Sequence, residues 1–199
     1  MKNYKIILLL LAVFATTFSA CKKGEDDPAL SLRSRKARVA GEWKMTNIKS
    51  TNTFSSDLYN STNIMTGDGS TYTRTMTTMG TPSTTVGTLS WQWTFEKDGK
   101  YKYTRTEDGN INSSAGTWNF TAGIGDLKDK SQITYYEQSS TSQPPTLPAT
   151  SETWTGNYID NVFDLKELRN KKMVWYQKTT SVSSGSSYSS EMEITLEAK

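Results

Sequence analysis

Residues 91–105 read Trp91-Gln92-Trp93-Thr94-Phe95-Glu96-Lys97-Asp98-Gly99-Lys100-Tyr101-Lys102-Tyr103-Thr104-Arg105, and this stretch decides the fold. Aromatic and polar residues alternate on both sides of an Asp-Gly pair, which is typical of two half-buried strands joined by a turn. We predict a three-residue loop, Lys97 to Gly99, because this register sets Phe95 opposite Tyr101 and keeps each face of the hairpin consistent. It also gives Gly99 the left-handed position that such a loop needs.

The aromatic face of this hairpin continues into a third strand. The same register sets Trp93 opposite Tyr103 and Trp91 opposite Arg105, a cation–π arrangement. A two-residue turn at Asp108-Gly109 predicts a return strand with Ser114 and Gly116 facing the two tyrosines. The shared inner face would then consist of Trp91, Trp93, Phe95, Tyr101, Tyr103, Arg105, Trp118 and Phe120. These eight residues are candidate ligand contacts, and the alternative is that the aromatic ones only fill the core.

The rest of the chain predicts further short strands and almost no helix. Alternating runs begin at Trp43, Ile133, Phe163 and Met173, and the clearest one holds Met192, Ile194 and Leu196. Residues 31–40 predict one or two helical turns, and Ser70 to Thr78 predicts a solvated or edge strand. Residues 50–68 and 139–151 read as long loops. We therefore expect an all-β fold, an up-and-down antiparallel barrel of about eight strands, with a β-sandwich as the alternative.

The N-terminus has the three parts of a secretory signal peptide. Residues 1–5 are positively charged, residues 6–18 are apolar, and small residues precede Cys21. The apolar run of about 13 residues is shorter than the roughly 20 that span a bilayer. The cysteine at the cut resembles the lipobox of bacterial lipoproteins, which implies acylation of Cys21 and a membrane partner through the acyl chains. We expect residues 1–20 to be the signal peptide, 21–38 a lipidated flexible tether and 39–199 the barrel domain.

The charged residues that follow Cys21 also bear on the location of the protein. Lys22 and Lys23 followed by acidic residues resemble the surface-export signal of some diderm bacterial lipoproteins. This resemblance implies an outer-membrane lipid anchor at the cell surface, with the periplasmic face as the alternative. Four basic residues lie between tether and domain, where headgroup contact and plain solvation both remain open: Arg33, Arg35, Lys36 and Arg38.

Composition excludes several functions. Of 23 lysines and arginines, Lys2 and Lys5 leave with the signal, so 21 face 20 acidic residues and there is no electrostatic case for nucleic acid. The chain has no histidine and one cysteine, which excludes His/Cys zinc sites and Ser-His-Asp or Cys-His catalysis. Paired carboxylates remain, at Asp126 with Asp129 and at Asp160 with Asp164, in turn-like contexts. We expect no enzyme activity, no metal and no cofactor.

Two motifs resemble the bacterial lipocalin-like lipoproteins. Gly41-Glu42-Trp43 matches a Gly-x-Trp start, and Phe95-x-x-Asp98-Gly99-x-Tyr101 precedes Gly116-Thr117-Trp118. The resemblance implies structural roles for Gly41, Trp43 and Gly99. It also implies that Trp43 packs at a closed end under a basic side chain, for which Lys171, Lys172 and Lys178 are candidates.

Two non-catalytic functions follow from this resemblance and from the aromatic face. The first is a binding module for a small apolar or aromatic ligand in the mouth of the barrel. The second is a structural or assembly protein with a filled barrel, or a glycan-binding one that uses Trp91 or Trp154.

Overall fold

The computed structural model describes residues 34–122 and 131–199, and the side chains of all of these except residues 154–160. In this part of the chain one short helix precedes ten strands: α1 (Arg35–Val39), β1 (Gly41–Ser56), β2 (Asn60–Gly67), β3 (Thr71–Thr78), β4 (Thr81–Phe95), β5 (Lys100–Glu107), β6 (Asn110–Ala122), β7 (Ser131–Gln143), β8 (Thr150–Leu168), β9 (Lys172–Ser183) and β10 (Ser186–Ala198). The tether residues 21–33 and the pair Asp126 and Asp129 lie outside the described residues.

The strands form one closed antiparallel barrel. Each strand pairs with the next along the chain, and β1 closes the ring on β10 in a register that runs from Trp43 opposite Ala198 to Ser56 opposite Ser186. The expected all-β antiparallel barrel is therefore confirmed, and the β-sandwich alternative is wrong. The expected number of eight strands is also wrong, because the described strands number ten.

One additional strand, and the second half of another, come from the segment that we predicted to be a long loop. Residues 50–56 are the second half of β1, and residues 60–67 form β2. Most of their Ser, Thr and Asn side chains are exposed or half-buried on both faces, so little hydrophobic alternation marks them as strands. β3 was expected to be an edge or a solvated wall. It is not an edge, since it pairs with β2 on one side and with β4 on the other.

β1 changes its neighbour along its length. Residues 41–44 pair directly with β4, with Trp43 opposite Trp93, whereas residues 48–55 pair with β2. The hairpin of β2 and β3 is thus inserted into only one end of the wall. We call the end that holds Trp43 and the β8–β9 turn the closed end, and the opposite end, with the β3–β4 and β9–β10 turns, the distal end.

The predicted hairpins have the expected register. Phe95 is opposite Tyr101, Trp93 opposite Tyr103 and Trp91 opposite Arg105. Gly99 has φ of 94° in the β4–β5 loop, and Asp108 and Gly109 have φ of 49° and 80° in the β5–β6 turn, as a two-residue hairpin with two left-handed positions requires. The predicted loop over residues 139–151 is shorter than expected, because β7 extends to Gln143 and β8 begins at Thr150.

Helix α1 covers the closed end. Its first turn is capped by Ser34, whose hydroxyl oxygen accepts the N–H of Ala37 at 3.1 Å. Arg38 and Val39 are buried, and the Arg38 guanidinium donates to the carbonyl of Leu168. The Lys36 ammonium lies 5.7 Å from the centre of the Trp118 ring. Residues 34–38, placed in the tether by sequence, therefore pack as part of the barrel domain.

Candidate functional site

The half of the barrel next to the closed end is filled by aromatic rings in mutual contact, which we call the floor. Phe95 and Trp118 have ring centres 5.3 Å apart, and Tyr101 lies 4.9 Å from Tyr135. Phe95, Tyr101 and Trp118 are each 1% exposed, and Phe120 is half-buried and packs against the same core. Four of the eight candidate ligand contacts thus belong to the packed floor of the barrel, where apolar burial and ring contacts stabilise the fold.

Trp175 is the centre of this floor, and sequence reasoning had assigned it only to an alternating strand. Its ring lies 4.9 Å from Phe163, 5.2 Å from Trp93 and 5.9 Å from Phe95. Phe163 comes from the neighbouring strand β8, whereas Trp93 and Phe95 come from β4, which does not pair with β9, so this contact across the barrel cannot be read from local alternation. Trp175 is fully buried at 0% exposure.

The structural residues expected from the Gly-x-Trp motif lie at the closed end. Gly41 is opposite Phe95, and the indole N–H of Trp43 donates to the carbonyl of Val39 at 2.8 Å. Two of the lysines proposed to cover Trp43 contact acidic side chains instead, Lys172 with Glu167 at 2.7 Å and Lys178 with Glu191 at 4.0 Å. Lys171 is exposed. The element that covers this end is α1.

The remaining candidates lie above the floor, toward the distal end. Trp93 and Tyr103 have ring centres 4.8 Å apart, and Trp91 meets Tyr103 edge to face at 6.3 Å. The guanidinium carbon of Arg105 is 4.9 Å from the centre of the Trp91 ring. The predicted cation–π pair is therefore confirmed, and Trp91, Tyr103 and Arg105 form the upper surface of the aromatic column.

Two residues that the sequence did not indicate complete this upper surface. Arg74 of β3 donates to one carboxylate oxygen of Glu107 at 2.7 Å, and Arg105 donates to the other. We call Arg74, Arg105 and Glu107 the arginine–glutamate cluster. Their side chains are 32%, 35% and 15% exposed, so solvent reaches them. The sequence could have indicated Glu107, because it lies two residues after Arg105 and therefore on the same face of β5.

The cluster keeps Glu107 ionised. Burial raises the pKa of Glu107, but hydrogen bonds and charges from Arg105 and Arg74 outweigh burial and leave the pKa below its ordinary value. Two guanidiniums therefore face Glu107, and Asp108 is a second carboxylate nearby, since the charge of Arg74 helps to lower its pKa. The charges of these four residues balance. Glu137 is a further carboxylate, whose charge acts on Tyr101 and Tyr103.

Two buried hydrogen-bond donors next to the cluster have no partner among the described residues. They are the Nε–H of Arg105 and the indole N–H of Trp91, which is 8% exposed. A buried donor without an acceptor costs about 1–3 kcal/mol. The upper surface of the column therefore holds buried donors that a bound acceptor would satisfy, as does the indole N–H of Trp175 in the floor.

Of the other site residues that the sequence suggested, Asp164 is the one whose side chain the structure describes. Asp164 lies in strand β8, not in a turn, and accepts a hydrogen bond from Gln132 at 2.9 Å. The side chains of Asp160 and Trp154 fall outside the described ones. Among the side chains that the structure describes, no group of three or more acidic, His or Cys residues could hold a metal ion. No helix in this part of the chain is long and apolar enough to span a membrane.

Comparison of this chain with family models, with curated proteins and with solved structures finds no match.

Proposed function

We propose that this protein is a lipocalin-like binding module, held at a membrane by lipid on Cys21, that takes a small ligand with an aromatic or apolar body. The observation that carries the proposal is the upper surface of the aromatic column. Trp91 and Tyr103 lie there beside donors without partners, above a floor that is already packed. A ligand would contact this upper surface, and the four floor residues would only support it.

Tryptophan emission and melting temperature, measured with a panel of aromatic and long-chain ligands, test the proposal. We expect at least one ligand class to shift the emission and to raise the melting temperature, since binding to the folded state alone stabilises it. Tyr103→Leu should weaken this response. Tyr176→Leu is the matched control, because Tyr176 is opposite Glu193 on the outer face, where Lys166 covers its ring. Unchanged emission and melting temperature across the panel would contradict the proposal.

The proposed anchor has its own experiment. Labelled palmitate should enter the wild-type protein in a diderm bacterium and should not enter the Cys21→Ser variant. Protease added to intact cells should degrade the barrel if it stands at the cell surface, and should spare it if the barrel faces the periplasm. We propose that the barrel lies at the cell surface, because the residues after Cys21 resemble a surface-export signal.

A second function is favoured by the polar wall at the distal end. Residues 81–86 and 179–183 are exposed throughout, so both faces of the sheet are available there to a glycan or to a protein partner. Reproducible binding on a glycan array, or one partner recovered repeatedly from membranes, would support this function. If the wild-type protein binds no glycan and recovers no partner but responds to small ligands, this second function is contradicted and the small-ligand binding function remains.

A further inference from the structure

Strands β8 and β9 separate toward the distal end. They pair over four positions, and the last of these sets Asp164 opposite Tyr176. Beyond this point, among the strands that the structure describes, residues 177–183 pair only with β10 and residues 150–162 pair only with β7. The wall of the barrel therefore has an opening with a strand edge on each side.

A cleft lies at this opening. Its volume is about 310 Å³, and it is lined by Gln132 of β7, by Val162 and Asp164 of β8 and by residues 176–179 of β9. The side-chain amide of Gln177 donates to the carbonyl of Val162 at 3.1 Å, in place of a backbone bond between the two strands. Backbone N–H and C=O groups alternate along a strand edge, so an added extended backbone is the group that pairs with them. The cleft therefore fits one further strand.

The described chain begins beside this cleft. Arg35, which directly follows the first described residue, donates to the hydroxyl of Ser131. Ser131 is followed directly by Gln132, which lines the cleft. Residues 29–33 span about 17 Å when extended, the same length as five residues of the β9 edge. The segment that precedes α1 therefore starts within reach of the opening and is long enough to fill it.

The sequence of this segment has the pattern of a strand. Leu30 and Leu32 alternate with Ser31 and Arg33, as in a half-buried strand. Pro28 precedes the segment and has no N–H to donate, so an added strand would end there. A chain that leaves α1 toward the distal end runs antiparallel to β9, as β10 does on its other side.

We propose that residues 29–33 bind in the cleft as a short extra strand antiparallel to β9. Arg33, at the level of Tyr176, then lies on the outer face beside the carboxylate of Asp164, so that opposite charges meet. The N-terminal segment that would carry the lipid is thereby held against the wall of the barrel. The part of the tether left free is residues 22–28.

The register of the added strand follows from the faces of β9. Trp175 is buried in the floor, so Gln177 and Thr179, two and four residues later, lie on the inner face. With Leu32 opposite Gln177 and Leu30 opposite Thr179, both leucines point into the barrel. The polar residues of the segment then face solvent.

Disulfide formation in the full mature protein tests this placement. A disulfide needs Cα atoms about 4.4–6.8 Å apart, so Leu30→Cys combined with Thr179→Cys should form one within a single chain. Leu30→Cys combined with Thr84→Cys is the matched control and should form none, since Thr84 is also exposed but lies on β4, across the barrel from β9 in the strand order. Peptide mass spectrometry identifies the joined segments, and gel electrophoresis separates monomer from dimer. A disulfide between two chains would overturn the proposal in favour of the tether of a second copy.

Hydrogen exchange of the β9 amides gives a second readout without added thiols. We expect Leu30→Asp combined with Leu32→Asp to speed the exchange of residues 177–181 at least tenfold, because the added strand no longer protects them. Leu147→Asp, the same change at a side chain that is 64% exposed, should leave this exchange unchanged. Absence of the disulfide together with unchanged exchange in the double variant would overturn the inference and leave the proposed ligand-binding function standing.

Discussion

The hydroxyl of Tyr72 donates a 2.6 Å hydrogen bond to Asp108, which ties strand β3 to the β5–β6 turn. The second carboxylate oxygen of Asp108 accepts the backbone N–H of Thr88 at 2.7 Å. Arg74 lies 5.0 Å over the Tyr72 ring, and Glu107 directly precedes Asp108 in the chain. This one contact therefore positions both new members of the arginine–glutamate cluster.

Removal of the Tyr72 hydroxyl should raise the pKa of Asp108. The hydrogen bond from Tyr72 is the main cause that holds this pKa below its ordinary value, followed by the N–H of Thr88. A lowered pKa in the folded state stabilises the protein at neutral pH, and this contribution is lost as the pH falls through the folded-state pKa. The gap in melting temperature between wild type and Tyr72→Phe should therefore narrow below about pH 4.

Carboxyl carbon NMR titration measures this shift directly. Asp68 serves as the internal control, because the backbone N–H groups of Thr71 and Ser70 hold its pKa below the ordinary value without Tyr72. An Asp108 titration that is the same in wild type and Tyr72→Phe would show that the contact does not act in solution.

Trp43→Phe should destabilise the barrel by about 2 kcal/mol, since it loses a buried hydrogen bond as well as ring volume. The Trp43 indole donates to Val39 at 2.8 Å, and its loss leaves that carbonyl without this donor. Trp175→Phe is the comparison, because Trp175 is equally buried and its indole N–H has no partner among the described residues. Urea unfolding should show the greater loss for Trp43→Phe, and the opposite order would contradict a capping role for α1.

Two glycines with nearly the same backbone angle should respond differently to alanine. Gly69 has φ of 86° and Gly80 has φ of 81°, so either alanine takes a left-handed conformation at a cost of about 1–2 kcal/mol. A Cβ on Gly69 would also collide with the carbonyl of Met45, whereas a Cβ on Gly80 would meet nothing within 4 Å. We expect Gly69→Ala to lower the free energy of unfolding by at least about 1 kcal/mol more than Gly80→Ala does. Equal losses would mean that the Gly69 turn can move away from β1.

Stability should fall steeply in alkaline solution. Burial raises the pKa of Tyr101 to about 12 and that of Tyr135 well above its ordinary value. A raised tyrosine pKa keeps its full stabilising contribution below the unfolded-state pKa of 10, and loses it as the pH rises through the folded-state value. The free energy of unfolding should therefore decline between pH 10 and pH 12, less so in Tyr101→Phe. The ultraviolet absorbance of tyrosinate should show these tyrosines ionising together with unfolding, and their complete ionisation in a folded protein near pH 10 would contradict the burial.

Arg38→Met should cost about 1.5–3 kcal/mol, the range for hydrogen bonds to charged groups. The Arg38 side chain is buried and donates to Leu168 across the closed end. Lys36→Met is the matched control on the same helix, because Lys36 is exposed and its cation–π contact with Trp118 is worth about 0.5–1 kcal/mol. Thermal unfolding of the two variants measures the difference, and equal melting temperatures would show that α1 is not part of the cooperative unit.

The central hairpins could be predicted because each carries two agreeing signals. Asp98-Gly99 and Asp108-Gly109 fix the turns, and aromatic alternation fixes the faces, so only one register satisfies both. The register shift opposite Gly116 likewise lies where a small residue interrupts the aromatic face.

The hairpin of β2 and β3 could not be predicted in the same way. Its Thr and Ser side chains face solvent on much of both faces, and backbone pairing with β1 and β4 stabilises it without a hydrophobic stripe. Arg74 reaches the cluster only through this pairing, so one of the two arginines of the cluster was hidden with it. The burial of Arg38 was hidden for a related reason, because its acceptor, the Leu168 carbonyl, is 130 residues away in the chain.

The position of α1 has a consequence for the direction in which the barrel points. The chain enters the barrel at the closed end, while the β3–β4 and β9–β10 turns lie at the distal end. Residues 22–33 reach at most about 40 Å when fully extended. A lipid on Cys21 would therefore hold the closed end nearer to the bilayer, and the polar turns at the distal end would face the aqueous phase.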